Sequence, residues 1–501
     1  MKKIYTIAGA AMALLAISCS KDLGNYDFNP KEVISIEGVA NSYTVISGSE
    51  KITIDPTLSS TYGSSKFDCF WGIYESNVTG FNIQKLDTLS KTKTLDYFVT
   101  QKPSDWTLVF CAKNKETGFA QYKRIPLKVT TPSAGGWYVL KDDGSQSDID
   151  LFKTPTSIMP ASKQENIFSL YNGKKMEGKA TFLNYIVDYK SFESGVLAAT
   201  KTLFAGTDKD LSAVSIYSFK EIRNLGGMFY DKPSLMVPGF LMYPSPSNTD
   251  YFLLNNGQLH GLSAIVANTG LFGGRKLADA ANTPYKLSKY STTGPSSTAF
   301  FFDDLSSSFF SGTALANTLT PMVDIGPSQG KPQTAMSAKN NNKRLLFMDG
   351  SYAYFQDKTN ANMKILSSLT LNASAFKMVN DTVKTTDKIF NATNFALLQP
   401  GDENMIYFAN GNEVWSRNLT NKQEIRQFIV PADEVITFIK HRKFTGTGID
   451  APYSYNYVMI GTKIGGNYKV RMFKKSSGNL NTAPEFTLDG TGSVGDVYFL
   501  R

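Results

Sequence analysis

Histidine is almost missing from this chain: His260 and His441 are the two in 501 residues. A zinc centre built on imidazole needs several ligands at set spacings, and neither histidine falls in an HExxH pattern. A Ser-His-Asp triad would have to recruit one of these two. Metallohydrolase and serine-hydrolase chemistry therefore find little material, and both histidines read as strand or loop residues. A long apolar run is missing too. The uncharged stretch from Ile4 to Ile17 is shorter than the roughly 20 residues a helix needs to span a bilayer. There is also no basic run: the formal charge is +9, but its lysines and arginines are scattered, so nucleic-acid binding has little support. Long amphipathic helical patterns are absent as well, which argues against α/β folds.

What is present begins at the amino terminus. Lys2 and Lys3 precede the apolar stretch, and Ala16-Ile17-Ser18-Cys19 follows it. A positive flank, a short apolar core and a small residue before the cut make a signal peptide over residues 1–18. A cysteine directly after the cut makes it the lipoprotein version, with Cys19 acylated as the anchor. Each buried CH₂ of a lipid chain contributes about 0.8 kcal/mol, so two or three chains hold a protein firmly to a membrane. Residues 19–31 are polar, with Gly24, Asn25 and Pro30, and read as a tether.

With Cys19 lipidated, Cys69 and Cys111 remain, in a compartment that permits a disulfide. Alternation puts Cys69 on the face of Phe67, Trp71 and Ile73, and puts Cys111 opposite the inward set Leu108, Phe110 and Ala112. Two separate thiols are expected, because a bridge needs β-carbons within about 4.5 Å and pointing together.

A composition of 42% hydrophobic and 19% charged residues is a globular balance, and the length calls for more than one core. Seven strand-like stretches run from Val33 to Val39, Tyr43 to Ser47, Ile52 to Asp55, Phe67 to Tyr74, Leu95 to Val99, Trp106 to Ala112 and Tyr122 to Val129. Short strands around a central Trp71 predict an immunoglobulin-like β-sandwich over residues 32–131. Pro132-Ser133-Ala134-Gly135-Gly136 marks a boundary. Beyond it, apolar bursts end in Asn256-Gly257, Asp349-Gly350 and Asn410-Gly411, dipeptides that tolerate the positive φ of tight hairpins. Two more bursts share an ending, Ala205-Gly206-Thr207 and Ile460-Gly461-Thr462. Degenerate repetition of strand units predicts a β-propeller over residues 136–501. At about 40 to 50 residues per blade the span holds seven blades, with eight as the alternative. Val497 to Leu500 is expected to close the ring against Trp137 to Leu140. The fold class is all-β.

The segment Ser20-Lys21-Asp22-Leu23-Gly24-Asn25-Tyr26-Asp27-Phe28, the strand Phe67 to Trp71, Gly136-Trp137-Tyr138-Val139-Leu140 and the closing Gly490 to Val497 resemble, in that order, the PKD-like lipoprotein family of Bacteroidota. The resemblance implies an outer-membrane lipoprotein facing the cell exterior, with a periplasm-facing orientation as the alternative. It also implies a setting beside SusC/SusD-like TonB-dependent uptake systems. Its motifs are structural, and none is catalytic.

Candidate chemistry is thin. Gly490-Thr491-Gly492-Ser493-Val494-Gly495 matches GxGxxG, but no helix can follow it, so it reads as the loop before the closing strand. Gly273-Gly274-Arg275-Lys276 lacks Walker spacing and reads as a turn. Asp142, Asp143, Asp148 and Asp150 cluster around Gly144; such carboxylates can hold calcium, but a solvated hairpin turn is the reading preferred. Asp303-Asp304 and Asp402-Glu403 are adjacent acids, which point to opposite faces of a strand and so form no catalytic dyad alone. Tyr453-Tyr455-Tyr457 and Tyr352-Tyr354 alternate and read as core between blades. No metal, cofactor or catalytic residue is expected, and the ligand-binding residues are not legible. The expectation is a non-enzymatic accessory binder of a glycan or peptide for the uptake system, with no nucleic-acid partner. The alternatives are a propeller enzyme acting on polysaccharide through carboxylates, and an adhesin or structural envelope protein.

Overall fold

The computed structural model describes residues 31–63, 66–76, 84–155, 161–242, 250–263, 269–294, 298–324, 336–372, 376–398 and 403–501. The expected leader, the expected lipidation site Cys19 and the expected tether up to Lys31 lie outside them, apart from Lys31 itself. The chain divides into two compact units: residues 1–41, 52–97 and 107–125 make one, and residues 42–51, 98–106 and 126–501 the other.

All seven strands expected before residue 131 form, and two short ones, Thr57–Ser60 and Asp87–Ser90, are added. Both added strands are polar and carry no apolar alternation, which is why the pattern missed them. The largest sheet runs in the order Tyr43–Ile46, Ala120–Thr130, Ser104–Asn114, Phe67–Glu75, Asp87–Ser90. Trp71 is fully buried with its ring 4.6 Å from that of Phe110. Cys69 and Cys111 are free thiols, but Cys111 does not face solvent as alternation suggested. Val109 and Cys111 are buried along with Leu108, Phe110 and Ala112, because Ser104–Asn114 is an interior strand covered on both faces, where alternation carries no information.

From Gly136 onward the described residues form seven antiparallel blade sheets in chain order, with a two-stranded hairpin, Lys475–Ser476 and Asn479–Leu480, beside the last. Their first strands are Ala180–Ser191, Pro238–Met242, Leu287–Thr293, Lys343–Asp349, Thr393–Leu397 and Val435–Phe444, for blades 2 to 7. In blade 1 that place is taken by the last strand of the chain, Ser493–Leu500, which pairs with Gly136–Asp142. Each of these seven strands touches the next, and the seventh touches the first, so they line a closed ring. The domain is a seven-bladed β-propeller with the expected closure: Trp137 lies opposite Phe499, and Val139 opposite Val497.

The core follows from this geometry. Second strands are flanked by sheet neighbours on both edges and by blades on both faces, so their middles are buried, and Ala299–Asp303 is buried throughout. One apolar cluster fills each junction between neighbouring blades. Trp137 anchors the junction of blades 7 and 1, with ring centroids 4.6 Å from Tyr455 and 4.8 Å from Phe499. Tyr455, Tyr457 and Tyr354 are core, as their alternation implied. Tyr453 packs against the same cluster as Tyr455 and Tyr457, but not from a strand. It lies in the 3-10 segment Gly448–Tyr453, where Pro452 denies a strand its backbone donor.

The shared ending of two bursts has a structural cause. Gly206 and Gly461 sit on second strands of blades 2 and 7, opposite Phe182 and Phe438 of the first strands. A β-carbon on either glycine would stand 2.3 Å from the facing ring. The threonine that follows ties down the chain entering the blade: Thr207 Oγ1 donates to the Glu177 carbonyl, and Thr462 Oγ1 donates to Glu434 Oε2 at 2.6 Å.

Glu434 also takes a two-pronged contact from Arg471, at 2.7 and 2.8 Å, with both side chains buried. These hydrogen bonds, Arg471 first, pull its carboxyl down to about 2 from an ordinary 4.5. A lowered carboxyl value stabilises the fold fully above the ordinary value and loses that contribution as pH falls toward the lowered one. Glu434→Gln is therefore expected to cost about 1–3 kcal/mol at pH 7. In urea melts the gap to the parent protein should shrink between pH 5 and pH 2; a gap independent of pH would assign the loss to shape alone.

Candidate functional site

The ring of first strands brings together residues far apart in sequence. Between blades 4, 5, 6 and 7 it encloses a cavity of about 340 Å³, lined by Lys289, Tyr290, Asp349, Phe395, Lys440 and Arg442 among others. Alternation on Val435–Phe444 places Lys440 and Arg442 on one face of that strand, half-buried. Opposite them, on the closing strand, Asp496 is almost wholly buried. Its carboxylate lies 2.6 Å from Lys440 Nζ and 3.2 Å from Arg442 Nη2. It also accepts the backbone N–H groups of Leu183 and Val497. Burial would raise the Asp496 carboxyl, but Lys440 and Arg442 outweigh it and hold the group below its ordinary value. Burial in turn pulls the Lys440 ammonium down.

Asp349 ends the first strand of blade 5, and its side chain is exposed on the lining of this cleft. Desolvation by the surrounding protein pushes its carboxyl up to about 6, against the Gly350 N–H, Lys440 and Arg442, which all favour its charged form. Lys289 is exposed, and its ammonium lies 5.3 Å from the Tyr290 ring centre. Arg442 stacks over Tyr498 at 4.5 Å, and its Nε is buried with no protein partner among the described residues. The site thus offers three cations, aromatic faces and one accessible carboxylate.

The candidates read from sequence lie elsewhere. His260 is buried, with Nδ1 2.9 Å from the Gly273 carbonyl and its ring edge-on to Phe229. His441 borders the cavity, but its Nε2 is 2.7 Å from Asn456 Oδ1 on the second strand. Neither is placed beside a nucleophile.

The four-aspartate cluster is not the solvated turn expected. Only Asp143 is exposed; Asp142, Asp148 and Asp150 are buried. Asp150 pairs with Lys141 at 2.8 Å and accepts the Tyr468 hydroxyl. Asp148 Oδ1 receives the Ser169 N–H, and Asp142 receives those of Gly144 and Ala180. Most of these oxygens fix neighbouring backbone and side chains, while Asp148 Oδ2 is buried without a partner among the described residues. Among the described residues no three His, Cys, Asp or Glu side chains converge as metal ligands.

Asp303 caps a turn by accepting from Lys286, Leu305 and Ser306, and burial, then the charge of Asp303, raises the carboxyl of Asp304. Glu403 pairs with Lys475, while Asp402 lies outside the described residues. In the GxGxxG stretch, Gly490 belongs to the strand Phe486–Thr491, and only Gly492 is a turn, with φ of +104°. The glycines admit close neighbours: a β-carbon on Gly495 would lie 2.3 Å from the Ala180 carbonyl. Gly273 to Lys276 is not the turn expected: it runs alongside Leu259 to Gly261, with Arg275 bridging His260, and Lys276 is buried against the carbonyls of Ala314 and Ala316.

Residues 19–180 match the model of the PKD-like family, ending where the first strand of blade 2 begins. Similar solved structures include a quinonprotein alcohol dehydrogenase-like protein from Bacteroides thetaiotaomicron, 11% identical over 93% of this chain and 99% of that one, with a TM-score of 0.38. A DUF4784 family protein from Bacteroides caccae is 5% identical over 79% and 95% of the two chains, with a TM-score of 0.32. YCF48 from Cyanidioschyzon merolae is 9% identical over 66% and 97%, with a TM-score of 0.37. No curated protein matches the sequence.

Proposed function

We propose, starting from the match of residues 19–180 to the PKD-like family model, that this chain is a lipid-anchored outer-membrane protein that binds a ligand without turning it over. Cys19 is the anchor, and the protein faces the cell exterior. It serves a SusC/SusD-like TonB-dependent system as an accessory binder of a glycan or peptide.

The observation that carries the binding role is the ring cavity. It is concave, of ligand size, and combines aromatic faces with a few convergent charges, the composition of a recognition site. Hydrolysis of a glycoside by the two-carboxylate route asks for a second acid about 5 to 10 Å from the first. Asp349 is the accessible carboxylate of this lining, and Asp496 is enclosed by Lys440 and Arg442. That favours binding over cleavage.

The test is affinity capture of the natively lipidated protein from solubilised outer membranes, followed by mass spectrometry. A TonB-dependent transporter and its lipoprotein partner are expected to co-purify, and Cys19→Ala should move the protein out of the membrane fraction. Capture without any transporter, or product formed from a glycan by the purified protein, would overturn the proposal.

A further inference from the structure

Deepening that reading, we infer that the ring cavity recognises a carboxylate-bearing sugar, with the acid group held by Arg442, Lys440 and Lys289 and a sugar ring against Tyr290.

Charge in the cavity is unbalanced. Asp496 is one carboxylate shared between Lys440 and Arg442, so the pair retains a net positive charge. Lys289 adds a third cation whose contact among the described residues is the Tyr290 ring. Arg442 spends Nη2 on Asp496 and leaves Nε without a protein partner. A guanidinium beside an ammonium is a donor set that suits a carboxylate. Tyr290 and Phe395 supply flat apolar faces beside these donors, which suits a sugar ring better than an extended backbone.

Asp349 makes this capture depend on pH. Facing it across the cavity are Lys440 and Arg442 from blade 7 and Lys289 from blade 4; Asp496 faces those cations from the closing strand. His441 is engaged with Asn456, and Asp188 of blade 2 accepts the Tyr251 hydroxyl. Of these groups, Asp349 is the one held near 6. Protonating it removes the negative charge that opposes an incoming acid, so affinity should rise as pH falls from 7.5 to 5. A uronic acid stays ionised over that window, as an ordinary carboxyl near 3.5 does.

The probes are trigalacturonate, uncharged galactotriose and an acetylated tripeptide with a free carboxyl terminus, titrated calorimetrically into the full soluble chain. Trigalacturonate is expected to bind, at least about tenfold tighter than the other two. Its affinity should fall about tenfold with Lys289→Ala, an exposed site whose truncation leaves the fold intact, and fall as salt rises. Asp349→Asn should bind as the parent does at pH 5 and lose the pH dependence. Equal binding of galactotriose, preference for the peptide, indifference to Lys289→Ala, or absence of any binding would each overturn the inference. Galactotriose or peptide binding, or transporter capture alone, would leave the accessory-binder proposal standing, so the two fail separately.

Discussion

Deleting Ser493 to Arg501 is expected to abolish cooperative folding of the propeller. The deleted strand is the inner strand of blade 1 and makes the only described pairing along that edge of Gly136–Asp142. Val494, Val497, Phe499 and Leu500 are all buried. Burying such side chains contributes about 1.5–3 kcal/mol each, so the four together approach the roughly 5–15 kcal/mol that separates a folded domain from its unfolded chain. The loss also bares a long apolar strand edge, a template for aggregation. Calorimetry should show the main transition lost or moved down by more than 15 °C, and limited proteolysis should cut between blades. A truncated chain that melts cooperatively within a few degrees of the parent would mean that the blade junctions suffice without closure.

Asp496→Ala should be the most damaging single substitution considered, costing about 3–5 kcal/mol. Its weight comes from what is left behind: Lys440 and Arg442 keep their positions with no counter-charge, and the Leu183 N–H loses its acceptor. Both cations retain some contact with cavity water, which places the effect toward the lower end. Because the carboxyl is held below its ordinary value, its contribution is present at neutral pH and is lost as pH falls through the lowered value. Equilibrium urea unfolding at pH 7 measures the cost. Combining Asp496→Ala with Lys440→Met and Arg442→Met should recover much of it, since an apolar replacement of a buried ion pair is often near neutral. If the triple variant is no better than the single one, shape at Asp496 matters more than charge.

Local signals were the most legible part. Asn256-Gly257 announced its hairpin because two successive positive φ values, +49° and +74°, are tolerated by few residue pairs. The run Val497 to Leu500 announced its partner because a propeller closes its ring by pairing a late strand with one from the first blade. Gly206-Thr207 and Gly461-Thr462 were visible as a repeat, though not as the aromatic notch and tether they form.

The failures share one cause, that burial is decided by elements distant in sequence. Asp142, Asp148 and Asp150 looked like turn acids, since a hairpin rich in Asp and Ser is usually wet; the short helix Ile167–Asn172 and the strands of blades 2 and 7 take up their lone pairs instead. Cys111 looked outward until both faces of its strand were found covered. The ring cavity left no trace in the sequence. Lys289, Asp349, Arg442 and Asp496 come from four blades, and each has the unremarkable surroundings of a half-polar strand.

What the amino-acid sequence determined alone was the all-β class, most strand positions, the tight turns and the closing strand, because these rest on side-chain period and backbone conformation within a few residues. Only the tertiary structure decided which charges are buried, which are paired, and which meet across the ring, because seven first strands must converge before Lys440 and Arg442 can find Asp496.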